Sequence, residues 1–198
     1  DYENYLCTIT GTGKTEFKGK VTVAPGSTIK SGTFNGEVTN NGTITGGTFN
    51  GEVINNGTIT GGVFTGTVIN GEGGTIAESV LITKLKFIVT FVNEGTKTTE
   101  PIAKDVKLTA PAAPTKEGYR FGGWYYNNSG SEAKWDFDTD TVTRAMTLTA
   151  KWVQTYTVTF ETSGGSAVGP VTIDAGSTVT KPADPMKSGH NFGGWYKD

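Results

Sequence analysis

The first third of the chain sets single apolar residues among short polar runs at a fixed spacing. Residues 32–46 read GTFNGEVTNNGTITG and residues 47–61 read GTFNGEVINNGTITG; they differ only at Thr39 and Ile54. A third, decaying copy starts at Gly62 and keeps register through Phe64 and Val68, after which a two-residue insertion delays the next apolar position to Ile76. Read backwards by one period, Ile29 falls on Ile44 and Val23 on Val38. The expected ladders are therefore Val23–Val38–Val53–Val68, Ile29–Ile44–Ile59 and Phe34–Phe49–Phe64. Three apolar positions per period, about five residues apart and flanked by Thr, predict three short strands with Thr turned away from the apolar side.

Strands of three or four residues do not stand alone as a sheet. A constant period lets each coil of chain stack on the one before, so that Phe meets Phe, Ile meets Ile and Asn meets Asn. The pattern predicts a β-solenoid with 15-residue repeats, a narrow apolar core and corners of Gly and Asn. A plain meander is the rival, because FNGE and NNGT also suit two-residue hairpin turns. It would leave the apolar residues with little to cover them. The ends of a solenoid are open sheet edges that need caps. Tyr2, Tyr5, Leu6 and Phe17 are the expected cap at the start, and SVLITKLKF (residues 79–87) at the other end.

From Phe87 the pattern changes. Trp appears for the first time, at Trp124, Trp135, Trp152 and Trp195. FIVTFV (87–92) answers YTVTFE (156–161), and DVKLTAP (105–111) answers STVTKP (177–182). RFGGWYYN (120–127) answers NFGGWYKD (191–198), 71 positions later. This half is thus a second, longer repeat in two copies. Phe121, Trp124, Phe137, Leu148 and Trp152 are the expected core of the first, a domain of marginal size. Gly122 and Gly123 allow an unusual backbone angle or a close strand approach, and Pro111 and Pro114 stiffen the entry loop.

VTF, the paired prolines, GYRFGGWYYN, KWDFDT and MTLTAKW occur here in an order that resembles the internalin B-repeat, or Listeria–Bacteroides repeat, with Thr149 where that family commonly has Tyr. The resemblance implies a small β-grasp (ubiquitin-like) domain, a mixed sheet folded across one short helix, with APAAPTKEG (110–118) leading into the helix or turn region. It also implies that the final strand pairs with the first. The second copy has no counterparts of Trp135, Phe137, Leu148 and Trp152, so YTVTFE is expected to have an open edge. Tyr156–Asp198 is expected to be less ordered than the first copy or to lean on a neighbour. The expected architecture is mainly β: residues 1–86 a capped solenoid, 87–153 a complete β-grasp repeat, and 154–198 a repeat truncated before its final strand.

Composition narrows the function. Only 34% of residues are hydrophobic and 29 are Gly, which suits short strands and tight turns. Net charge is −2, and basic and acidic residues balance in each segment, at 6 and 7 in residues 1–86, 8 and 8 in 87–152, and 3 and 4 in 153–198. A phosphate-tracking surface needs a basic bias, so nucleic acid is not an expected partner. The longest apolar run, FIVTFV, is too short to insert in a membrane. Cys7 is the only cysteine and permits no intrachain disulfide. DYENYLCT does not have the chemistry of a leader peptide.

Each candidate for chemistry has a plainer explanation. TITGTGKT (8–15) ends like a phosphate-binding loop, but Thr8 stands where that motif needs Gly, and no helix pattern follows. Asp136, Asp138 and Asp140 alternate at a spacing that suits calcium ligands, yet Thr141 and Thr147 stand where an EF-hand needs Gly and Glu. His190 is the only histidine and replaces Tyr119 of the first copy, which favours a packing or surface role. Glu37 and Glu52 are equivalent positions in adjacent coils rather than a designed carboxylate pair. The sequons at Asn41, Asn56 and Asn127 read as turn chemistry. Tyr125, Tyr126 and Tyr196 follow GGW and can stack on sugars.

No residue is assigned a catalytic, cofactor-binding or metal-ligating role, and no cofactor is expected. The chain reads as a non-catalytic, secreted or cell-wall-associated bacterial repeat protein, an adhesin-like spacer or display module. Its expected partner is an unidentified protein or glycan at the cell surface. The alternatives are a carbohydrate-binding surface module and, less favoured, a solenoid polysaccharide hydrolase using Glu37 or Glu52.

Overall fold

The computed structural model describes Thr8–Ile9 and residues 15–197. The expected cap residues Tyr2, Tyr5 and Leu6, and Cys7, lie outside the described residues, as does most of the TITGTGKT loop. The described residues are all-β with no helix, and they fall into two units: residues 1–111 with 124–149, and residues 112–123 with 150–198.

The solenoid belongs to the first unit and has three parallel faces. One stacks β1 (Thr8–Ile9), β4 (Thr28–Ile29), β7 (Thr43–Ile44), β10 (Thr58–Ile59) and β13 (Thr75–Ile76). The second stacks β2 (Glu16–Phe17), β5 (Thr33–Phe34), β8 (Thr48–Phe49) and β11 (Val63–Phe64). The third stacks β3 (Val21–Val23), β6 (Val38–Asn40), β9 (Val53–Asn55) and β12 (Val68–Asn70). In β4, β5, β7, β8 and β10 the apolar residue is buried and its Thr neighbour half-exposed, as alternation requires. Ile29, Ile44, Ile59, Phe49 and Val68 are fully buried. Each such side chain contributes about 1.5–3 kcal/mol on leaving water. The rings of Phe17, Phe34, Phe49 and Phe64 stack nearly parallel at 4.6, 4.8 and 4.8 Å, close to the spacing between adjacent strands.

Three expectations about this region are corrected. Phe17 is the first rung of the Phe ladder, paired with Phe34, rather than a cap. Val38 pairs with Val21, and Val23 pairs with Asn40. The earliest coils are longer than 15 residues, and Val21 and Val23, two apart on one strand, face the same side. The apolar pattern therefore cannot tell them apart. The structure also buries Asn40, Asn55 and Asn70 inside the third face, where corner positions were expected for Asn. Asn40 Nδ2 donates to Asn55 Oδ1 at 2.7 Å and Asn55 Nδ2 to Asn70 Oδ1 at 2.6 Å. Backbone closes both ends of this file: Gly42 N–H donates to Asn40 Oδ1, and Asn70 Nδ2 donates to the Gly74 carbonyl at 2.8 Å. Gly74 precedes Thr75 as Gly57 precedes its partner Thr58, so the terminal acceptor follows directly after the two-residue insertion. A buried amide is tolerated only when so satisfied.

The corners need glycine. Gly32, Gly47 and Gly62 take φ of 118°, 106° and 116°. At Gly51 a Cβ would collide with the backbone oxygen of Gly36 in the coil beneath.

Residues 79–87 extend the solenoid as an extra partial coil. Ile82 bridges to Phe64, and Leu85 pairs with Val68. The latter pairing opens β14 (Leu85–Asn93), which is both the last rung of the third face and the first strand of the first repeat. β15 (Thr96–Ala103) runs antiparallel to β14 from Lys86 to Asn93 and occupies one of its edges. The opposite edge is shared by β12, at residues 85–87, and by the parallel β18 (Met146–Val158), which pairs from Val89↔Met146 to Val92↔Thr149. The final strand of the first repeat thus pairs with its first, as the resemblance implies. β16 (Tyr119–Asn128) and β17 (Ser131–Lys134) complete that sheet. The two strands β16 and β18 each contribute residues to both units.

The core of the first repeat is Phe87, Val89, Phe91, Leu108, Trp124, Trp135, Val142, Met146 and Leu148. Trp124 and Leu148 are buried as expected, but Phe121, Phe137 and Trp152 are only half-buried. The implied short helix is absent from the described residues. Its place is taken by an irregular run through Pro111 and Pro114 and a tight turn closed by the Lys116↔Tyr119 bridge.

The second unit holds the turn just described, the end of β18, and β19 (Val171–Asp174), which pairs antiparallel with Thr155–Val158. Gly123 has φ 123°, and a Cβ at Gly122 would lie 3.2 Å from the Lys151 carbonyl oxygen, so the two glycines divide the two expected roles.

Candidate functional site

The outer face of the first-repeat sheet carries a cluster of aromatic and polar side chains. In β16 the buried Trp124 is followed by Tyr125 and Tyr126, both half-exposed. Tyr125 is cross-strand from Lys134, and Asn127 from Glu132. Alternation brings Tyr125, Asn127, Glu132 and Lys134 to one face. Thr147 and Thr149 flank the buried Leu148 and look out on the same side. These residues and Tyr126 line a shallow concavity of about 310 Å³.

The walls are held from behind. Tyr126 packs edge-on against Trp135 at 5.6 Å, with the Arg144 guanidinium 5.9 Å from its ring centre. Arg144 also donates to the Asn127 carbonyl at 3.0 Å. The Gly130 amide donates to Asn127 Oδ1 at 2.8 Å, which fixes the Asn127 side chain. Thr147 donates its hydroxyl to Glu72, in the solenoid turn after β12. Tyr196 is not part of this arrangement. It is 84% exposed, and its hydroxyl donates to the Gly193 carbonyl.

The other candidates are scattered. Asp136 and Asp140 are consumed in a turn: Asp138 N–H donates to Asp136 Oδ1 and Asp136 N–H to Asp140 Oδ2, each at 2.8 Å. The Asp138 amide, then the Thr139 hydroxyl, and lastly the Lys107 charge hold the Asp136 carboxyl below the usual carboxylate range. Among the described residues no group of three or more His, Cys, Asp or Glu side chains is placed to hold a metal ion. His190 is exposed and sits in the turn bridging Lys187↔His190, the same turn as Lys116↔Tyr119, with Gly189 at φ 73° against Gly118 at 74°. It occupies a surface turn position, and Nδ1 meets the Ser188 carbonyl at 3.0 Å.

Glu37 pairs with Lys20 at 3.1 Å, while Glu52 is exposed one coil away. Neither lines the concavity. Asn56 donates to Asn41 at 3.1 Å and Asn50 to Asn35 at 2.7 Å, so corner Asn residues form exposed ladders beside the buried one. Sequence reasoning expected Asn to meet Asn but missed that one Asn file is buried, and it missed the Thr147–Thr149 wall. The equivalence of Asn40 and Asn55 one period apart was the available signal for the first. The second depends on which strands become neighbours.

No helix among the described residues is long and apolar enough to cross a membrane. The chain is similar over 108 residues to two proteins of Evansella cellulosilytica. One is named "Putative membrane protein" (48% identical, 54% of this chain, 16% of that protein). The other is named "Putative Gly-rich membrane protein" (45% identical, 54% and 12%). It is also 37% identical over 112 residues to Internalin H of Listeria monocytogenes, covering 56% of this chain and 20% of that protein. The match thus spans a fifth or less of each of these relatives. Residues 87–151 and 156–198 match the Listeria-Bacteroides repeat domain, more than half of the chain and both copies of the longer repeat; the protein belongs to the Listeria-Bacteroides repeat family.

Proposed function

We propose that the protein is a non-catalytic bacterial surface or secreted repeat protein, an adhesin-like spacer that displays its repeats for contact with other proteins. The observation that carries this reading is β14. The solenoid and the first repeat share one strand, with no linker between Val68↔Leu85 and Val89↔Met146. A joint of that kind transmits orientation and suits a stiff stalk better than a flexible tether. The internalin relative and the two relatives named as membrane proteins support a place in the cell envelope. The carboxylates considered for hydrolysis, Glu37 and Glu52, face solvent at solenoid corners, which supports a role without turnover.

Brief trypsin treatment of intact cells of the source bacterium, followed by mass spectrometry of the supernatant, tests the location. Peptides from this chain are expected before any cytosolic marker appears. Their release only after lysis would defeat the surface reading. Adhesion is tested by the binding of purified chain to immobilised surface proteins.

A further inference from the structure

We propose that the concavity on the first repeat binds a neutral sugar, one or two pyranose rings, stacked on Tyr125. A pyranose has an apolar C–H face and a rim of hydroxyls that both donate and accept. The site answers both: the Tyr125 ring supplies the apolar platform, while Asn127, Glu132, Thr147 and Thr149 offer amide, carboxylate and hydroxyl partners around it. Glu132 lines the concavity and Lys134, cross-strand from Tyr125, stands beside it, so the face carries both signs and no cationic bias toward an anionic ligand such as a phosphate or uronate. A volume of about 310 Å³ is at the small end for a ligand cleft, which fits the end of a glycan better than a long chain.

Two features separate this from an ordinary solvated sheet face. First, the site is held in shape before any ligand arrives. Tyr126 is clamped between Trp135 and Arg144, and Gly130 N–H holds Asn127 Oδ1, which leaves the amide NH₂ end for a ligand. Second, the chain carries its own control. Tyr196 is the counterpart of Tyr125 in the second copy, but Lys197 replaces Tyr126 and no described strand stands where Thr147 and Thr149 do. Tyr196 has the same aromatic ring without the surrounding walls. The inference does not rest on the spacer reading, since a stalk can carry a sugar site or lack one.

The test is an NMR titration of the isotope-labelled full chain with cellotriose, chitotriose and maltotriose, with a heparin tetrasaccharide as anionic control. Saturable shifts are expected with at least one neutral trisaccharide. Tyr125→Ala is expected to weaken binding about tenfold or more, and Tyr125→Phe by less than about threefold, because the ring face rather than the hydroxyl is used. Tyr196→Ala should leave binding unchanged. Should Tyr125→Ala fail to fold, the near-isosteric Thr149→Val carries the test through loss of one rim partner. Saturation by the heparin fragment alone, no saturation by any probe, unaltered affinity in a folded Tyr125→Ala chain, or loss of binding in Tyr196→Ala would each overturn the proposal.

Discussion

The two copies of the longer repeat repeat their local chemistry but not their burial. Trp124 meets Phe91 edge-on at 5.0 Å, and Trp195 meets Phe160 edge-on at 5.0 Å. The hairpin register also agrees: Phe87 faces Ile102 as Tyr156 faces Ile173. Gly123 and Gly194 have φ of 123° and 122°. Yet Val89 is fully buried and Phe91 is 7% exposed, whereas Val158 and Phe160 remain half-exposed. The difference is the strand partner. Val89–Val92 is covered by Met146–Thr149, and among the described residues no strand covers the equivalent edge of the second copy. Hairpin register, turn angle and ring contact are therefore short-range properties of the repeat, while burial requires its last strand.

Removing the ring from each copy probes this contrast most strongly. Phe91→Ala is expected to cost about 3–5 kcal/mol, a core truncation with a cavity. Phe160→Ala should cost about 1–2 kcal/mol, because its ring leaves less water behind. Hydrogen exchange resolved by residue measures both, and equal costs would break the comparison. Leu148→Ala attacks the covering strand itself, at about 2–5 kcal/mol. It should raise exchange at the amides of residues 89–92 toward the level of residues 158–160. The same experiment on the unaltered chain tests the expectation that the second copy is the less ordered.

Smaller changes test what the copies share. Ala at Gly123 or at Gly194 forces a side chain into the same left-handed backbone, so each is expected to cost about 1–3 kcal/mol within its own repeat. Unequal costs in thermal melts would show that the angle is set by surroundings rather than by the motif. The smallest effect concerns Asp174, which accepts two hydrogen bonds from Arg120, at 3.0 and 2.5 Å. The Arg120 hydrogen bond, with its charge behind it, lowers the Asp174 carboxyl below its ordinary value. A carboxylate depressed in the folded state stabilises above the unfolded value, near about pH 4, and that contribution is lost as pH falls through the lower folded value. Protection of the Thr155–Val158 amides should therefore weaken on acidification below about pH 4, and Asp174→Asn should remove part of that dependence. The ion pair is exposed, so a barely measurable change is the expected scale.

Much of this molecule is legible from periodicity alone. A spacing of 15 residues between identical triplets dictates parallel stacking. Once coils stack, Phe over Phe and Ile over Ile follow without further information. The two-residue insertion before Ile76 was also readable, since it preserves the Thr58↔Thr75 pairing at a longer interval. The residues of the first repeat likewise announce two sheet-forming segments, a strained glycine pair and a Trp-centred core.

Tertiary structure decided what periodicity leaves degenerate. Val21 and Val23 lie on the same side of one strand, and only the neighbouring coil selects which meets Val38. An Asn in a repetitive polar run reads as a corner until adjacent coils bring its amide to 2.7 Å from the next one, when burial becomes tolerable. Tyr125 and Thr149 are 24 positions apart, and their common concavity exists because β18 enters the sheet beside both β14 and β16. Local chemistry is written in short stretches of chain; which strand edge is covered, and hence what is buried or forms a wall, is settled by non-local pairing.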